Sequence, residues 1–222
     1  MRKDEARGVP MQVDDFLTLL ETIEKNLPKD SPAMMLKNAY KRNPYTILMV
    51  TLLSLRARDE HTAKVAAKLF NTIQTPQELL AFPVEALEET IKPLGMQKQK
   101  ARTLREVSEA LMERFDGEVP KNKEALLSLK GVGEKTANIV MNNAFDQGVI
   151  AVDTHVHRLC NFFGVIDTKS DKESSKILNE IIPPSYRSKL NFTLVVFGQT
   201  ICTPKSQKCE ICPVTHFCPK NV

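Results

Sequence analysis

Long apolar segments, glycine and low-complexity stretches are all scarce in this chain of 222 residues. No stretch approaches the roughly 20 apolar residues that a membrane-spanning helix needs, so we expect no membrane partner. Only 8 residues are glycine and no internal repeat is present, which excludes a fibrous protein. With 42% hydrophobic residues, the chain can instead form one large or two small domains with their own cores.

A secretion signal is also lacking, because no apolar run follows the charged residues 1–8. We therefore expect an intracellular protein, in which thiols stay reduced. The five cysteines are then predicted to be ligands or buried side chains rather than disulfides, and their odd number agrees with this. The formal charge of +4 suits a polyanionic partner but does not identify one.

Helix caps and helical spacing dominate the pattern of the chain. Asn43, which precedes a proline, predicts one helix start, and Thr75 with Glu78 has the spacing of a capping box. Asp59 is predicted to cap the helix between them. About ten helices are expected and no sheet, because the one strand-like run, residues 148–152, is predicted to be an extended link.

A further helix is predicted over residues 98–115, where Leu104, Val107 and Leu111 form an apolar stripe with charges opposite. Three basic residues at its start are interpreted either as a solvated face or as contacts to a phosphate backbone: Lys98, Lys100 and Arg102.

A glycine hairpin leads into another predicted helix at residues 129–138, which read Leu-Lys-Gly-Val-Gly-Glu-Lys-Thr-Ala-Asn. Backbone N–H groups and the helix dipole make such a start a good phosphate site, so the hairpin predicts nucleic-acid contact. Lys135 lies in the first turn, where a cation is disfavoured by about 0.3–1 kcal/mol. It is either a solvated surface lysine or a group with a chemical role.

Asp153 precedes a segment of helical periodicity and is predicted to be its N-cap, unless it has a chemical role as well. His155 and His157 follow it, but residues two apart on a helix point to different faces, so they do not predict a metal pair.

Four cysteines lie within 17 residues near the end of the chain, with the spacing Cys202-x6-Cys209-x2-Cys212-x5-Cys218. Two disulfides, a tetrathiolate zinc ion and a [4Fe–4S] cluster are the three interpretations. We favour the cluster, because zinc sites prefer two Cys-x2-Cys pairs and only one is present. The remaining Cys160 is predicted to lie in the core.

The hairpin with Lys135, the Asp153-Thr-His segment and the cysteine spacing together resemble the endonuclease III family of base-excision DNA glycosylases, over residues 13–218. The resemblance implies an all-α fold of two helical domains that flank a DNA-binding groove. One is a six-helix barrel with the helix-hairpin-helix, expected over residues 37–147. The other holds a [4Fe–4S] cluster and is expected to combine residues 1–36 with 148–222.

The same resemblance implies a DNA N-glycosylase and AP lyase of base excision repair, with Lys135 as nucleophile and Asp153 as catalytic carboxylate. Oxidised pyrimidines are the expected substrates, and the lysine would form a Schiff base before β-elimination cuts the strand. A lysine is mostly protonated at pH 7, so we expect burial beside the helix start to lower the pKa of Lys135. A monomer that binds damaged or abasic double-stranded DNA is expected.

DNA contacts are also implied by the resemblance. Two side chains from separate loops fill the space that a flipped base leaves, and here they are Arg56 and Met96. Bacterial members of the family carry glutamine and leucine at these places, so the opposite-base preference is open. The other expected contacts are Gly131, Val132 and Gly133 of the hairpin, and His155. Lys205 and Lys208, between the first two cysteines, are expected to point outward from the metal site, where they are interpreted equally as a phosphate contact or as a solvated loop.

Two other functions stay open on the sequence. One is a mismatch or uracil glycosylase on the same scaffold, because lysine rather than tyrosine or serine at position 135 favours lyase activity but does not exclude a broader choice of base. A noncatalytic helix-hairpin-helix DNA-binding protein with a structural zinc ion would share the hairpin and the four cysteines.

Overall fold

The structure is a computed structural model that describes residues 11–39 and 43–219. Within these ranges it contains twelve α-helices, three short 3-10 helices and no strand beyond an isolated bridge between Cys202 and Gln207. The all-α prediction is confirmed. No helix in the described ranges is long and apolar enough to cross a membrane. Residues 1–8, on which the expected lack of a secretion signal rests, lie outside them.

The bounds of the helices follow in chain order. The α-helices are α1 (Val13–Lys25), α2 (Pro32–Asn38), α3 (Pro44–Ser54), α4 (Asp59–Leu69), α5 (Pro76–Ala81), α6 (Val84–Ile91), α7 (Gln97–Arg114), α8 (Lys123–Leu127), α9 (Glu134–Phe145), α10 (Thr154–Phe162), α11 (Asp171–Ile181) and α12 (Pro184–Thr200). The 3-10 helices are Lys92–Leu94, Cys209–Ile211 and Thr215–Phe217.

Most helices begin at the residues that their predicted caps indicate. The Asn43 side chain accepts a hydrogen bond from the N–H of Tyr45 at 2.9 Å, and the capping box of Thr75 and Glu78 is formed. Asp59 is a correction, because the N-cap of α4 is Arg58 and Asp59 is the first helical residue. There its carboxylate acts on the positive end of the helix dipole rather than as a cap.

Two compact units make up the chain. The central unit is Pro32–Gln147, and the terminal unit combines the two chain ends, up to Ser31 and from Gly148 onward. The first boundary between the two units therefore lies before Pro32. The sequence predicted it after residue 36. The physical reason is that α2 packs against α4 of the central unit.

The central unit is organised around α3, which is buried on nearly all sides. It packs against α4, α7 and α9, while α5 and α6 pack against α7. A helix that is apolar all round belongs in a core, and its two ends are then fixed by the helices around it. The C-terminal end of α3 and the start of α9 are thus held by one core.

The terminal unit has its own core, in which α12 packs against α1 and α10. Phe16, Leu159, Cys160 and Phe197 are fully buried there. Cys160 is therefore a core residue, as predicted, and burial raises the pKa of its thiol. Residues 148–152 form no strand, so the prediction of an extended link is confirmed.

Candidate functional site

The hairpin between α8 and α9 is anchored by its apolar residues. Leu129 and Val132 are buried, and the Val132 N–H donates to the Leu129 carbonyl at 3.1 Å. Gly131 has a φ of 85°, and a Cβ atom built there would lie 2.9 Å from Cγ2 of Thr103. Gly131 is therefore required by the folded chain itself, while the side chain of Val132 points into the protein.

Gly133 differs from Gly131, because neither its conformation nor its surroundings require a glycine. Its φ is −96°, and a Cβ atom built there would have no heavy atom within 4 Å. It is the N-cap of α9 and supplies no side-chain hydrogen bond to the helix. The start of α9 therefore combines open space with the backbone donors and positive dipole end that bind anions.

Lys135 is the second residue of α9 and is exposed. The expectation that the folded chain buries this side chain is therefore a correction. Its exposed amine is accessible to a ligand bound at the start of α9.

Asp153 is the N-cap of α10, as predicted, and is half-buried. Its Oδ1 accepts hydrogen bonds from the N–H groups of His155 at 3.0 Å and Val156 at 2.9 Å. The segment before it is held in place by Asn191, whose side chain donates to the Ala151 carbonyl at 2.6 Å. Two backbone N–H groups thus hold the carboxylate, and a side chain of α12 holds the segment that precedes it.

The two histidines of α10 face different helices, as predicted. His155 is half-buried against α12, where a Cβ atom built at Gly198 would lie 2.6 Å from its Nδ1. His157 Nδ1 lies 2.7 Å from Oγ of Ser174 on α11.

Arg56 and Met96 line one surface cavity of about 290 Å³ in the central unit, together with Gly131 of the hairpin. Both have left-handed backbone, with φ of 56° and 52°, although neither is glycine. Both are exposed, Met96 to 47%. The structure therefore brings together three predicted DNA-contact residues from three separate segments.

Arg56 lies in a tight turn at the end of α3. The Ala57 N–H donates to the Ser54 carbonyl at 3.0 Å, and Leu55 has φ of −58° and ψ of 121°. This is a type II turn, whose third position takes a positive φ and usually holds glycine or asparagine. An arginine there is strained, and such strain is concentrated at functional sites.

Lys100 also lines this cavity. The sequence did not predict that its side chain binds the end of α3. Its ammonium donates to the carbonyls of Leu53 and Leu55, at 2.7 Å each. Its position in the sequence does indicate burial, because Lys100 lies four residues before Leu104 and so continues the buried stripe of α7. Its neighbours Lys98 and Arg102 are exposed and remain candidates for phosphate contact.

All four clustered cysteines line one cavity in the terminal unit: Cys202, Cys209, Cys212 and Cys218. The other lining residues include the apolar Phe162, Phe197, Ile201 and Val214. Burial raises the pKa of the Cys212 thiol, and the three neighbouring thiols raise it further.

None of these cysteines forms a disulfide, so that interpretation is not supported. No group of three or more Cys, His, Asp or Glu side chains in the described ranges is arranged around a single metal position.

The loop between the first two cysteines folds back on itself. The Lys208 N–H donates to the Ile201 carbonyl at 3.0 Å, and Thr203 accepts from the Ser206 N–H at 3.0 Å. Lys205 and Lys208 are exposed on this loop. Their placement fits either a phosphate contact or a solvated loop.

Comparisons with known proteins assign the chain to one family. Residues 49–184 match the model of the HhH-GPD superfamily of base excision DNA repair proteins. The chain is 39% identical to endonuclease III of Thermotoga maritima over 200 residues, which cover 90% of this chain and 92% of that protein.

Two solved structures are similar along nearly the whole chain. A non-covalent endonuclease III–DNA complex has a TM-score of 0.81 and 33% identity, over 95% of this chain and 97% of that chain. A trapped endonuclease III–DNA covalent intermediate with an estranged adenine has a TM-score of 0.78 and 32% identity over the same shares.

Proposed function

The chain belongs to the endonuclease III family of the HhH-GPD superfamily, and we propose that it excises oxidised pyrimidines from duplex DNA through a covalent bond to Lys135. The resemblance found in its sequence is thereby confirmed. The protein is a bifunctional DNA glycosylase and AP lyase of base excision repair. Its proposed partner is double-stranded DNA with a damaged base or an abasic site, bound by a monomer.

The start of α9 is the observation that carries this proposal. An exposed amine stands in the first turn of a helix whose N-cap, Gly133, leaves room for a DNA backbone. A phosphate bound at the helix start would bring the adjacent sugar to the amine of Lys135.

The proposed reaction begins on a nucleotide that has been flipped out of the duplex. The neutral amine of Lys135 attacks C1′, and the bond to the base breaks with its electron pair leaving on the base, which takes up a proton. One amine proton is transferred to the departing base. The C1′–O4′ bond then breaks, the second amine proton is transferred to O4′, and a Schiff base remains between Nζ and C1′. Removal of a C2′ proton then expels the 3′ phosphate, and this β-elimination cuts the strand.

Asp153 is proposed to assist the proton transfers and to stabilise positive charge that develops on the sugar. Two backbone N–H groups hold its Oδ1, so the carboxylate needs no reorganisation when DNA binds.

The amine of Lys135 must lose its proton before it can attack. A free lysine has a pKa near 10.4, so about one amine in a few thousand is neutral at pH 7. Lowering that pKa by about three corresponds to about 4 kcal/mol. Because the side chain is exposed, we propose that bound DNA supplies the desolvation and that the dipole of α9 adds to it.

Arg56 and Met96 are proposed to fill the gap that the flipped nucleotide leaves. Both line the cavity beside Gly131 and are exposed on strained turns. Methionine is a flexible apolar wedge, and arginine can also donate hydrogen bonds to the orphaned base. The opposite-base preference is therefore proposed to depend on Arg56.

A [4Fe–4S] cluster is the cofactor that we propose for the terminal unit. Four thiols beside one apolar-lined cavity match the ligand set of this cluster. When bound, it would cross-link Cys202, Cys209, Cys212 and Cys218 and hold the loop of Lys205 and Lys208 toward DNA phosphates. The steps at the sugar take place without it.

Borohydride trapping on a duplex with one abasic site tests the proposed function. Reduction of the Schiff base should give a stable protein–DNA adduct, and the cross-linked peptide should contain Lys135. No adduct with the wild-type protein, or an adduct at another lysine, would overturn the assignment. An iron-containing brown protein is expected from metal analysis, whereas a colourless zinc protein would reject the cluster.

The two alternative functions can be distinguished from the proposed one by the substrates that the protein cleaves. Thymine glycol opposite adenine should be excised faster than uracil or a thymine mispaired with guanine. The reverse order would support the mismatch or uracil glycosylase. Binding of abasic DNA without excision or trapping would support the noncatalytic DNA-binding protein.

A further inference from the structure

Lys100 is a buried lysine in the first turn of α7, only 9% exposed. Burial lowers the pKa of its ammonium. Removing such a group from water is unfavourable unless its donors are satisfied. An apolar side chain of similar length would fill this position without that cost, so packing alone does not explain a lysine here.

The ammonium of Lys100 connects the turn that carries Arg56 to α7, whose N-cap is Met96. It donates to the carbonyls of Leu53 and Leu55, the second of which immediately precedes Arg56. The backbone N–H of Lys100 donates to the carbonyl of Met96 at 2.9 Å, but this is the first hydrogen bond of α7 itself and any residue other than proline would make it. The side chain of Lys100 therefore joins the end of α3 to the helix that begins at the Met96 turn.

The chemistry of these contacts explains why a cation is suitable. The last carbonyls of a helix lack intrahelical donors and lie at the negative end of the helix dipole. An ammonium on another helix satisfies two carbonyls at once and is attracted by that dipole. It therefore holds the turn against α7 more firmly than an apolar contact would.

We propose that Lys100 is a positioning residue for base flipping, because it holds the Arg56 turn and the Met96 turn at a fixed separation before DNA binds. The proposal rests on the proposed function, in which these two side chains enter the stack. Left-handed backbone at a non-glycine residue persists only when surrounding contacts enforce it. The ammonium of Lys100 supplies two such contacts to the Arg56 turn and ties it to α7.

The test is the fluorescence of 2-aminopurine placed opposite a tetrahydrofuran abasic analogue in a duplex. Entry of the wedges unstacks the reporter, so saturating wild-type protein should raise its fluorescence. Lys100→Met, which keeps the length of the stem and removes the donors, should reduce this rise by at least half. The Kd for an undamaged duplex should change by less than about threefold.

A matched control comes from another polar contact between the same two helices. The hydroxyl of Tyr45 on α3 lies 2.7 Å from Oγ of Ser108 on α7, buried and away from both turns. Tyr45→Phe should destabilise the protein without changing the fluorescence rise. Lys100→Gln retains an amide donor on a shorter stem, so it should give a fluorescence rise between those of the wild-type protein and Lys100→Met. If Lys100→Met does not fold, Lys100→Gln is used in its place.

The rates of excision from a paired and from an unpaired substrate give a second measurement. A purely structural role of Lys100 would affect both rates equally. Lys100→Met should slow excision of thymine glycol from a fully paired duplex by about tenfold, and from a three-nucleotide bubble by less than about threefold. Equal losses on both substrates, or an unchanged fluorescence rise, would overturn the proposal. Failure of the proposed function is distinct, because it would show as no adduct to Lys135 in the wild-type protein.

Discussion

Two helices of this protein begin in opposite ways, although each start carries a residue of the proposed chemistry. The N-cap of α9 is Gly133, which gives the helix no side-chain hydrogen bond, and Lys135 is exposed in the first turn. The N-cap of α10 is Asp153, whose carboxylate accepts hydrogen bonds from two backbone N–H groups. At the start of α9 no N-cap side chain occupies the backbone N–H donors, whereas at the start of α10 two of these donors bind the carboxylate of Asp153.

On the proposed function, the same structural element serves two purposes. An open helix start attracts an external anion and brings a DNA backbone to the protein. A start closed by a carboxylate immobilises a charge that has to act on the sugar. Exchanging the properties of the two starts should therefore affect binding at α9 and turnover at α10.

The largest effect is expected for Lys135→Ala at the open start. Loss of the nucleophile should lower single-turnover strand cleavage at an abasic site by at least about 10³-fold, because the covalent step has no substitute. Quenched-flow or gel assays of cleavage measure this directly. DNA affinity should fall by less than about tenfold, since phosphate binding uses backbone donors as well.

Lys130→Ala is the matched control for this change. Lys130 is an exposed lysine of the same hairpin, paired with Glu106 at 2.9 Å. Its removal should leave cleavage within about threefold of wild type, since surface ion pairs contribute about 0–1 kcal/mol. Comparable losses in both variants would mean that charge on the hairpin matters and not the amine of Lys135.

A smaller loss of turnover is expected for Asp153→Asn at the closed start. Asparagine is as good an N-cap as aspartate, so α10 should keep its start and the thermal midpoint should stay near that of wild type. Single-turnover excision should fall by about 10²- to 10³-fold, in the range of general acid–base catalysis. DNA binding, measured by fluorescence anisotropy, should be retained.

A cap without a proposed chemical role provides the comparison. Ser170 accepts a hydrogen bond from the Glu173 N–H at the start of α11. Ser170→Ala should lower the free energy of unfolding by about 1 kcal/mol and leave excision unchanged. If Asp153→Asn also kept full turnover, Asp153 would be a cap and nothing more.

Local signals predicted the caps of α3, α5 and α10, because a cap depends on residues within one turn. They misplaced the cap of α4, where Arg58 precedes the helix and Asp59 is inside it. Patterns of apolar residues likewise placed the buried stripe of α7.

The spacing of α7 could have indicated that Lys100 is buried, but the contacts of single charged residues were not predictable, since they depend on packing between distant segments. Lys135 was expected to be buried and is exposed, whereas Lys100 lies among exposed basic residues and is buried. The carbonyl partners of Lys100 lie more than forty residues before it in the sequence. No local pattern contains that contact.

The two hairpin glycines provide a third test, in which stability and binding should separate. Gly133→Ser would give α9 a side-chain cap and so make its start resemble that of α10. Stability should be unchanged or higher by a few tenths of a kcal/mol, because serine is a good N-cap. Affinity for abasic DNA should fall by about tenfold, since the side chain occupies the space and the donors offered to phosphate.

Gly131→Ala should show the opposite pattern. Its positive φ and the 2.9 Å approach to Thr103 predict a loss of about 1–3 kcal/mol in the free energy of unfolding. Affinity, measured well below the thermal midpoint, should change less than for Gly133→Ser. Equal effects of the two variants on stability would show that both glycines serve the fold and that α9 has no special role in binding.

The smallest effects are expected at the loop between Cys202 and Cys209, where exposed side chains rather than a helix start would meet the phosphates. Lys205→Ala and Lys208→Ala should each weaken DNA binding by about two- to threefold and lower the slope of log K against log salt by about 0.9. Cleavage at saturating DNA should not change. Because these lysines would act as simple charges, their loss should be equal for damaged and undamaged duplexes, whereas Gly133→Ser should weaken binding most where a nucleotide must reach Lys135. A slope that stays unchanged in both lysine variants would identify this loop as solvated, and the open start of α9 would then account for more of the phosphate binding.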